Sequence, residues 1–463
     1  YRYIRNRAYV RLTDVARETI EEGHHIRQFM RPVYQPMIVR PYKWTPDTEG
    51  GYAKIRTPFI SKPDREHKIH LADADLTEIY EHLDAVNATR WSVNTRMLGL
   101  VRQYFESGGD GLGVPRKHNY LKPPEPADFK TNKEARNQWK FEAHQWHTDN
   151  IRLAGQRKEF LHRLDVAEKF ANYEAIYFPH QLDFRGRCYP IPPHLNHQGD
   201  DVCRSMLQFA DPVKTGEKGK RWIKIHAANC YGIDKVSYDE RVQWVDAHTS
   251  DIAQMLDGAD RGQFTEFMTH ADKPWQFVAA CFALVDDDAA SRLPVQVDGT
   301  CNGLQHYAAI GRDAEGAAVV NLLPSDRPAD VYTDVAETTK RMVERDADGG
   351  LEVAKWVANY IERKTVKQPV MTSVYGVKPV GARRQIYDRL DAMQVDDDRR
   401  YACSKYLSDI VMAGIRSVCP AAMSIMDWLR QSARSVVKSG ETMRWVTPLG
   451  LPVVQSYRKL SVC

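Results

Sequence analysis

Arg363, Lys367, Met371 and Tyr375 recur every four residues in the run from Arg363 to Gly376. On a helix that spacing lines them along one slowly drifting face. Two cations one turn apart match a polyphosphate, with Arg offering a planar fork and Lys a compact point charge. A tyrosine at the far end of the same face can stack on a nucleobase. A solvated basic stripe that ends in a core tyrosine satisfies the same spacing.

Two other runs carry chemistry. Asp298 closes the alternating apolar stretch Pro294-Val-Gln-Val-Asp and is followed by Gly299, Thr300, Cys301, Asn302 and Gly303. The alternation predicts a short strand ending at Asp298. A carboxylate there suits a divalent cation, since Mg²⁺ takes one or two carboxylates plus substrate phosphates. An Asp that caps the following helix would look the same. In Asp183-Phe-Arg185-Gly186-Arg187, two arginines flank a glycine, so backbone and guanidinium can both approach phosphate. Asp183 could orient one of them. A plain Asp–Arg ion pair in a loop is the alternative.

These runs need elements to hold them. Apolar spacing predicts helix over 72–107, and the stretch 132–171, free of Pro with one Gly, predicts a long polar helix. Residues 31–46 read as extended, proline-punctuated chain, and 172–210 as loop-rich. A helix is expected over 351–375, bent near Pro369, and more helix over 396–438. A hairpin follows over 445–454 around a Pro/Gly turn. The acidic runs at Asp286 and Asp396 read as solvated loops.

Composition is that of an ordinary globular chain: 463 residues, 43% hydrophobic and 27% charged, with 65 Lys and Arg against 61 Asp and Glu. A net charge of +4 is a weak argument for nucleic acid on its own. No apolar run approaches the roughly 18–20 residues a membrane span needs, so no membrane partner is expected. The eight cysteines are dispersed without a C-x-x-C pair and read as packing residues in a reducing compartment. His144 and His147 lie three apart on the long helix without a third ligand nearby, so surface histidines fit better than a metal site.

Taken in order, the motifs Asp-x-Arg-Gly-Arg, Asp-Gly-Thr-Cys-Asn-Gly-Leu-Gln-His-Tyr and Arg-x3-Lys-x3-Met-x3-Tyr-Gly closely resemble the single-subunit DNA-directed RNA polymerases of phages and mitochondria. The resemblance runs from about Pro32 to the last residues. It implies an α+β, mostly helical right-hand fold of thumb, palm and fingers. Residues 1–71 would be an N-terminal remnant, 72–171 the thumb, 172–330 the palm, 331–440 the fingers and 441–463 the start of a palm hairpin. It also implies Mg²⁺ at Asp298 and the Gly299 carbonyl, and triphosphate grip by Arg363 and Lys367. Met371 and Tyr375 would lie at the nucleotide, with Tyr375 choosing the sugar and Gly303 leaving room for the ribose 2′-hydroxyl. Tyr332 would stand near the growing hybrid. Asp183, Arg185, Gly186, Arg187 and, as a weaker match, Arg204 would contact the template–RNA hybrid. The partners implied are a DNA template, nascent RNA and ribonucleoside triphosphates.

The family carries a later His-Asp-Ser segment whose Asp is the second metal ligand, and no His-Asp pair occurs in these 463 residues. The C-terminal part of palm and fingers is therefore expected to be missing, through an incomplete chain or a second chain that supplies it. Shared segments pull both ways on origin. The expectation is a phage enzyme in the cytoplasm of an infected bacterium, with the mitochondrial matrix as the alternative. Two other functions remain: a DNA polymerase or primase of the same fold, which Gly303 and Met371 oppose, and a non-catalytic nucleic-acid-binding subunit. Two-metal chemistry needs carboxylates on both sides of the ions. The isolated polypeptide is therefore expected to extend a primed template little or not at all, until a polypeptide bearing the missing part is added. Robust extension by the chain alone would overturn that expectation.

Overall fold

The computed structural model describes residues 2–4, 7–9, 13, 15, 33–45, 49–63, 65–260, 262–286 and 290–455. The expectations for Arg31, Pro32, Asp287, Asp288 and residues 456–463 lie outside them. The described chain is mostly helical, with antiparallel strand pairs of two to four residues, which agrees with the α+β class.

Three apolar clusters organise it. The largest gathers Met97, Val101, Leu164, Ile176, Trp275 and Phe277, all nearly inaccessible. Burying each such side chain is worth about 1.5–3 kcal/mol. Its most apolar element, the helix Pro274–Val285, is capped from a distance. Asp201 accepts the backbone N–H groups of Trp275 and Gln276 at 2.9 and 3.0 Å. Those are first-turn donors that have no partner inside the helix. A second cluster joins the helices from Asn302 to Lys438 around Val335, Val366, Leu407 and Val411. A third packs Trp44, Phe59 and Ile60 against Leu71, Leu83, Leu182 and Leu451.

Helix Lys133–Phe170 matches the expected long helix. Asn132 starts it by accepting from Glu134 and Ala135 N–H. At 1.5 Å per residue it is about 57 Å long. Its buried residues all lie from Leu153 onward, so the first half projects from the body. Along that half, the Trp139 and Trp146 indole N–H groups donate to the carbonyls of Pro123 and Tyr120 at 3.0 and 2.7 Å, clamping the preceding chain to the helix.

Three expectations need correction. Helix 72–107 is broken into Thr77–Asn87 and Thr95–Glu106 by the strand Trp91–Val93, which pairs with Leu207–Phe209. Helical spacing could not reveal a three-residue strand whose partner lies more than a hundred residues away. Helix 351–375 is interrupted at 358–362, before the motif, while Pro369 sits inside an unbroken helix Arg363–Ser373. The Asp396 run is not a loop: Asp397 and Asp398 form the first turn of helix Asp397–Val418, and Asp397 pairs with Arg400. The hairpin stands, with Met443–Val446 against Pro452–Gln455.

A buried imidazole pair sits beside the Asp183 motif. His180 Nε2 is 3.4 Å from His197 Nε2, and His197 stacks on Trp91 with centroids 4.9 Å apart. His180 Nδ1 meets Asn87 Oδ1 at 3.0 Å. Burial first, and then the neighbouring His197 ring for His180 and the Arg204 guanidinium for His197, depress both pKa values, to about 3 for His180 and about 4 for His197. Both rings are thus neutral in the fold, whereas the unfolded chain takes up protons near pH 6.5. Stability should be whole above about pH 6.5 and fall progressively toward about pH 4. Thermal melts across that window should show the loss, and His197→Phe should flatten the slope; an unchanged slope would remove the pair from the account.

Candidate active site

The turn between strands His180–Leu182 and Cys188–Pro190 is built on one carboxylate. Asp183 Oδ1 accepts from the backbone N–H groups of Arg185 and Arg187, both at 2.9 Å. Its Oδ2 accepts from Arg185 Nη2 at 2.9 Å. Burial pushes the Asp183 carboxyl up, but these bonds outweigh it and hold the pKa below the usual range. Gly186 adopts a φ of +90°, a region where a side chain would be strained. Arg185 is therefore folded back on Asp183. Arg187 points elsewhere: its Nη2 donates to the Tyr375 hydroxyl at 3.2 Å, and its guanidinium lies 5.8 Å from that ring.

Asp298 is exposed and sits in extended chain that pairs with no strand among the described residues. The expected strand is thus corrected. Alternation needs a neighbouring strand as well as an apolar face, and Val297 is 92% exposed. The Asp298 carboxylate accepts the Gly299 N–H at 2.8 Å, leaving oxygen lone pairs open to solvent. Thr300 accepts from Asn321 Nδ2 at 3.2 Å. Cys301 then takes φ +49°, ψ 60°, the left-handed region, as helix Asn302–Gly311 begins. A non-glycine residue there costs on the order of 1 kcal/mol.

That loop packs on Tyr332, which lies under Arg363, and on Val374 at the C-terminal end of helix Arg363–Ser373. At the N-terminal end, the Cys301 thiol and the Tyr332 hydroxyl lie within reach of each other. Burial first and this neighbour second raise the phenol's pKa above its ordinary value. Tyr332 lies under the Arg363 guanidinium at 5.1 Å. At the C-terminal end, a Cβ built on Gly303 would fall 2.7 Å from Val374 Cγ2 and 2.9 Å from Val374 Cβ. Lys367, Met371 and Tyr375 form an exposed row between these ends.

Arg363 is not free. Its Nε donates to Asp330 Oδ2 at 2.5 Å, and Asp330 Oδ1 accepts the Tyr332 N–H at 3.2 Å. Burial raises the Asp330 carboxyl, but the Arg363 bond and charge outweigh it, so its pKa lies below normal. Sequence reading missed Asp330. The available signal was its place directly before a helix, as an N-cap. Arg204 turns into its own loop, donating through Nε to the Gly199 carbonyl at 2.8 Å. The structure thus brings Gly303 against Val374, Cys301 against Tyr332, Tyr332 under Arg363, and Arg187 onto Tyr375. It leaves Arg185 and Arg204 in local pairings.

The site's acidic inventory fits one side of a magnesium site. Asp298 offers open oxygens, and the Gly299 carbonyl stands beside it. No group of three or more His, Cys, Asp or Glu gathers as a metal cluster among the described residues. His144 and His147 are both exposed on helix Lys133–Phe170.

Comparison with known proteins gives the family. Residues 213–462 match the family model described as DNA-dependent RNA polymerase. The chain is 38% identical over 449 residues to DNA-directed RNA polymerase 2, chloroplastic/mitochondrial, of Arabidopsis thaliana, covering 92% of this chain and 44% of that one. The mitochondrial DNA-directed RNA polymerase 1B of Nicotiana tabacum gives the same identity and coverage. The chloroplastic DNA-directed RNA polymerase 3 of Nicotiana sylvestris is 38% identical over 456 residues, 94% of this chain and 46% of its own. The chain thus spans less than half the length of these relatives. Their organellar names overturn the expected setting in a phage-infected bacterium and agree with the mitochondrial alternative.

Asp330→Asn should keep the cap on Tyr332 N–H and lose the charge that holds Arg363. A partly buried donor deprived of its ionic acceptor costs about 1–3 kcal/mol. Because the Asp330 pKa is lowered in the fold, the difference from wild type should be present above about pH 4 and vanish as acid protonates the native carboxyl. Urea melts at neutral and acid pH read this directly; an equal loss at both would show that the charge is not the cause.

Proposed function

Because the chain belongs to the phage-type single-subunit family of DNA-dependent RNA polymerases, we propose that it forms the nucleotide-binding part of an enzyme that extends RNA on a DNA template. The observation that supports this reading is the packing of the loop after Asp298 at two places: Cys301 against Tyr332, which lies under Arg363, and Gly303 against Val374, which precedes Tyr375. On this reading the Asp298 carboxylate, the two cations and the tyrosine face one nucleotide. In the reaction the 3′-hydroxyl of the growing RNA attacks the α-phosphate of a ribonucleoside triphosphate, and pyrophosphate leaves.

Asp298 and the Gly299 carbonyl would hold magnesium, which supplies Lewis acidity to the hydroxyl and the phosphates. The chain's own residues do the rest. Lys367, with no ion pair among the described residues, meets the triphosphate as a point charge, and Arg363 adds a fork. Charge that builds on the leaving group is offset by cations already in place. Tyr375, steadied by Arg187, lies at the base and sugar. Arg187 itself bridges the hybrid side to the nucleotide side. Contacts to the hybrid are to its backbone, because a polymerase must accept every sequence.

On this reading the projecting helix is thumb, 172–330 palm and 331–440 fingers. Two-metal chemistry also needs a second carboxylate opposite Asp298. The organellar names of the relatives support a setting in a mitochondrion or plastid.

Asp298→Asn, assayed on a primed template in an assembly that supports synthesis, should cut extension by a factor of about 10²–10³ or more, since it removes charge stabilisation from the reacting centre. Template binding, read by mobility shift, should stay unchanged. Extension that survives Asp298→Asn intact would favour a non-catalytic nucleic-acid-binding subunit instead. A preference for deoxyribonucleotides would favour a DNA polymerase.

A further inference from the structure

Gly303 presents a puzzle of packing. Its backbone is not in the left-handed region, so no conformational need for glycine exists there. It lies in the first turn of helix Asn302–Gly311, where alanine is intrinsically the better helix former. The space a Cβ would take is filled: Val374 Cγ2, Cβ and Cγ1 stand 2.7, 2.9 and 3.3 Å from it. Contacts under 3.0 Å to branched carbon atoms cannot be relieved by swinging a flexible chain end. Glycine at 303 is therefore demanded by the close approach of Val374.

Val374 is the residue directly before Tyr375. It ends helix Arg363–Ser373, and the chain turns at once: Tyr375 N–H donates to the Thr372 carbonyl at 3.1 Å, Gly376 N–H to Ser373 at 2.9 Å, and Gly376 takes φ +80°. Within this turn Tyr375 is 60% exposed, and its hydroxyl accepts from Arg187. The ring thus has little packing of its own to fix it. What fixes its stem is the branched side chain one residue earlier, seated on the helix that follows Asp298. A β-branched residue is stiff about its first torsion and so makes a firm seat.

We propose that Val374 is a positioning residue. By filling the space above Gly303 it sets the height of the Tyr375 ring over the nucleotide, and the Gly303–Val374 pair acts as one size-matched unit in selecting the sugar. The proposal rests on the function given above and deepens it. Sugar choice then depends on how the pair fits together. An enlarged residue 303 lifts Tyr375, a reduced residue 374 lets it drop, and the two changes together offset each other.

The test is a double-mutant cycle of Gly303→Ala and Val374→Ala, read in two ways. Thermal melting needs no activity. Gly303→Ala should lower Tm by about 2–6 °C through overpacking, against its helix propensity, and the double variant should melt well above the sum of the singles. In the assembly that extends primed templates, Val374→Ala should reduce the ratio of ribo- to deoxyribonucleotide kcat/KM by about tenfold, the scale of one or two methyl groups in a fitted site. The double variant should restore most of it. Additive melting, or a ratio within about twofold of wild type in Val374→Ala, would overturn the proposal. If wild type incorporates no nucleotide in any assembly, the functional reading fails, whereas the melting cycle still reports whether the two side chains are coupled.

Discussion

The loop that follows Asp298 is packed at two points, on Tyr332 beneath Arg363 and on Val374 at the end of the cationic helix. At one, a thiol meets a phenol; at the other, a glycine admits a valine. Helix Arg363–Ser373 is about 16 Å long and hydrogen-bonded throughout except where Pro369 lacks a donor. Fixing both ends of a rod that short fixes everything along it. Lys367 and Met371, which touch nothing that orients them strongly, inherit their positions from those contacts. The left-handed backbone of Cys301 belongs to the same constraint. It turns the chain so that the thiol can face Tyr332 while Gly303 faces Val374. Strain at one residue is tolerated because the surrounding contacts over-determine it.

The surroundings are arranged to keep this junction between two separately packed bodies. The Asp183 turn belongs to the part of the chain whose strands rest over the buried histidines, and the cationic helix belongs to the helical cluster around Val366 and Leu407. Arg187 crosses from one to the other to reach Tyr375. It can do so because Asp183 engages Arg185 and both neighbouring amides, leaving the second guanidinium uncommitted. A second tie crosses nearby, from Arg327 to Glu240 at 2.5 Å. Both ties are partly exposed, so each contributes modestly to stability. Their role is orientation.

What the sequence made readable follows from the range of each interaction. The four-residue period of Arg363, Lys367, Met371 and Tyr375 is local, and the helix presents that row as read. The long helix and the Trp445 hairpin were legible for the same reason. The partners of those residues were not. Asp330 lies 33 residues before Arg363, and Arg187 lies 188 residues before Tyr375. Nothing in composition marks such distant pairs. Gly303 is the instructive case. Its type signalled a need for space, but only coordinates show that Val374 fills that space. The strand expected at Asp298 failed for a related reason: alternation records which side chains might be buried, and no sequence pattern supplies the hydrogen-bonding neighbour that makes a strand.

The unequal treatment of the two cations has a chemical logic. Arg363 spends its Nε–H on Asp330 and keeps both terminal nitrogens, so a planar fork remains for a phosphate while the carboxylate behind it holds the plane of the group. A lysine in that place could not divide its donors between an orienting partner and a ligand with the same geometry. Lys367 carries no such partner, and its exposed ammonium can follow a flexible chain of phosphates. Orientation and adaptability are thus assigned to different side chains one turn apart. The arrangement also limits repulsion, because Asp330 offsets part of the positive charge before any ligand arrives, while its bond to Tyr332 N–H keeps it from advancing toward an incoming anion. An acidic neighbour to a phosphate-binding arginine is therefore an aid to recognition here, provided that it stays behind the guanidinium.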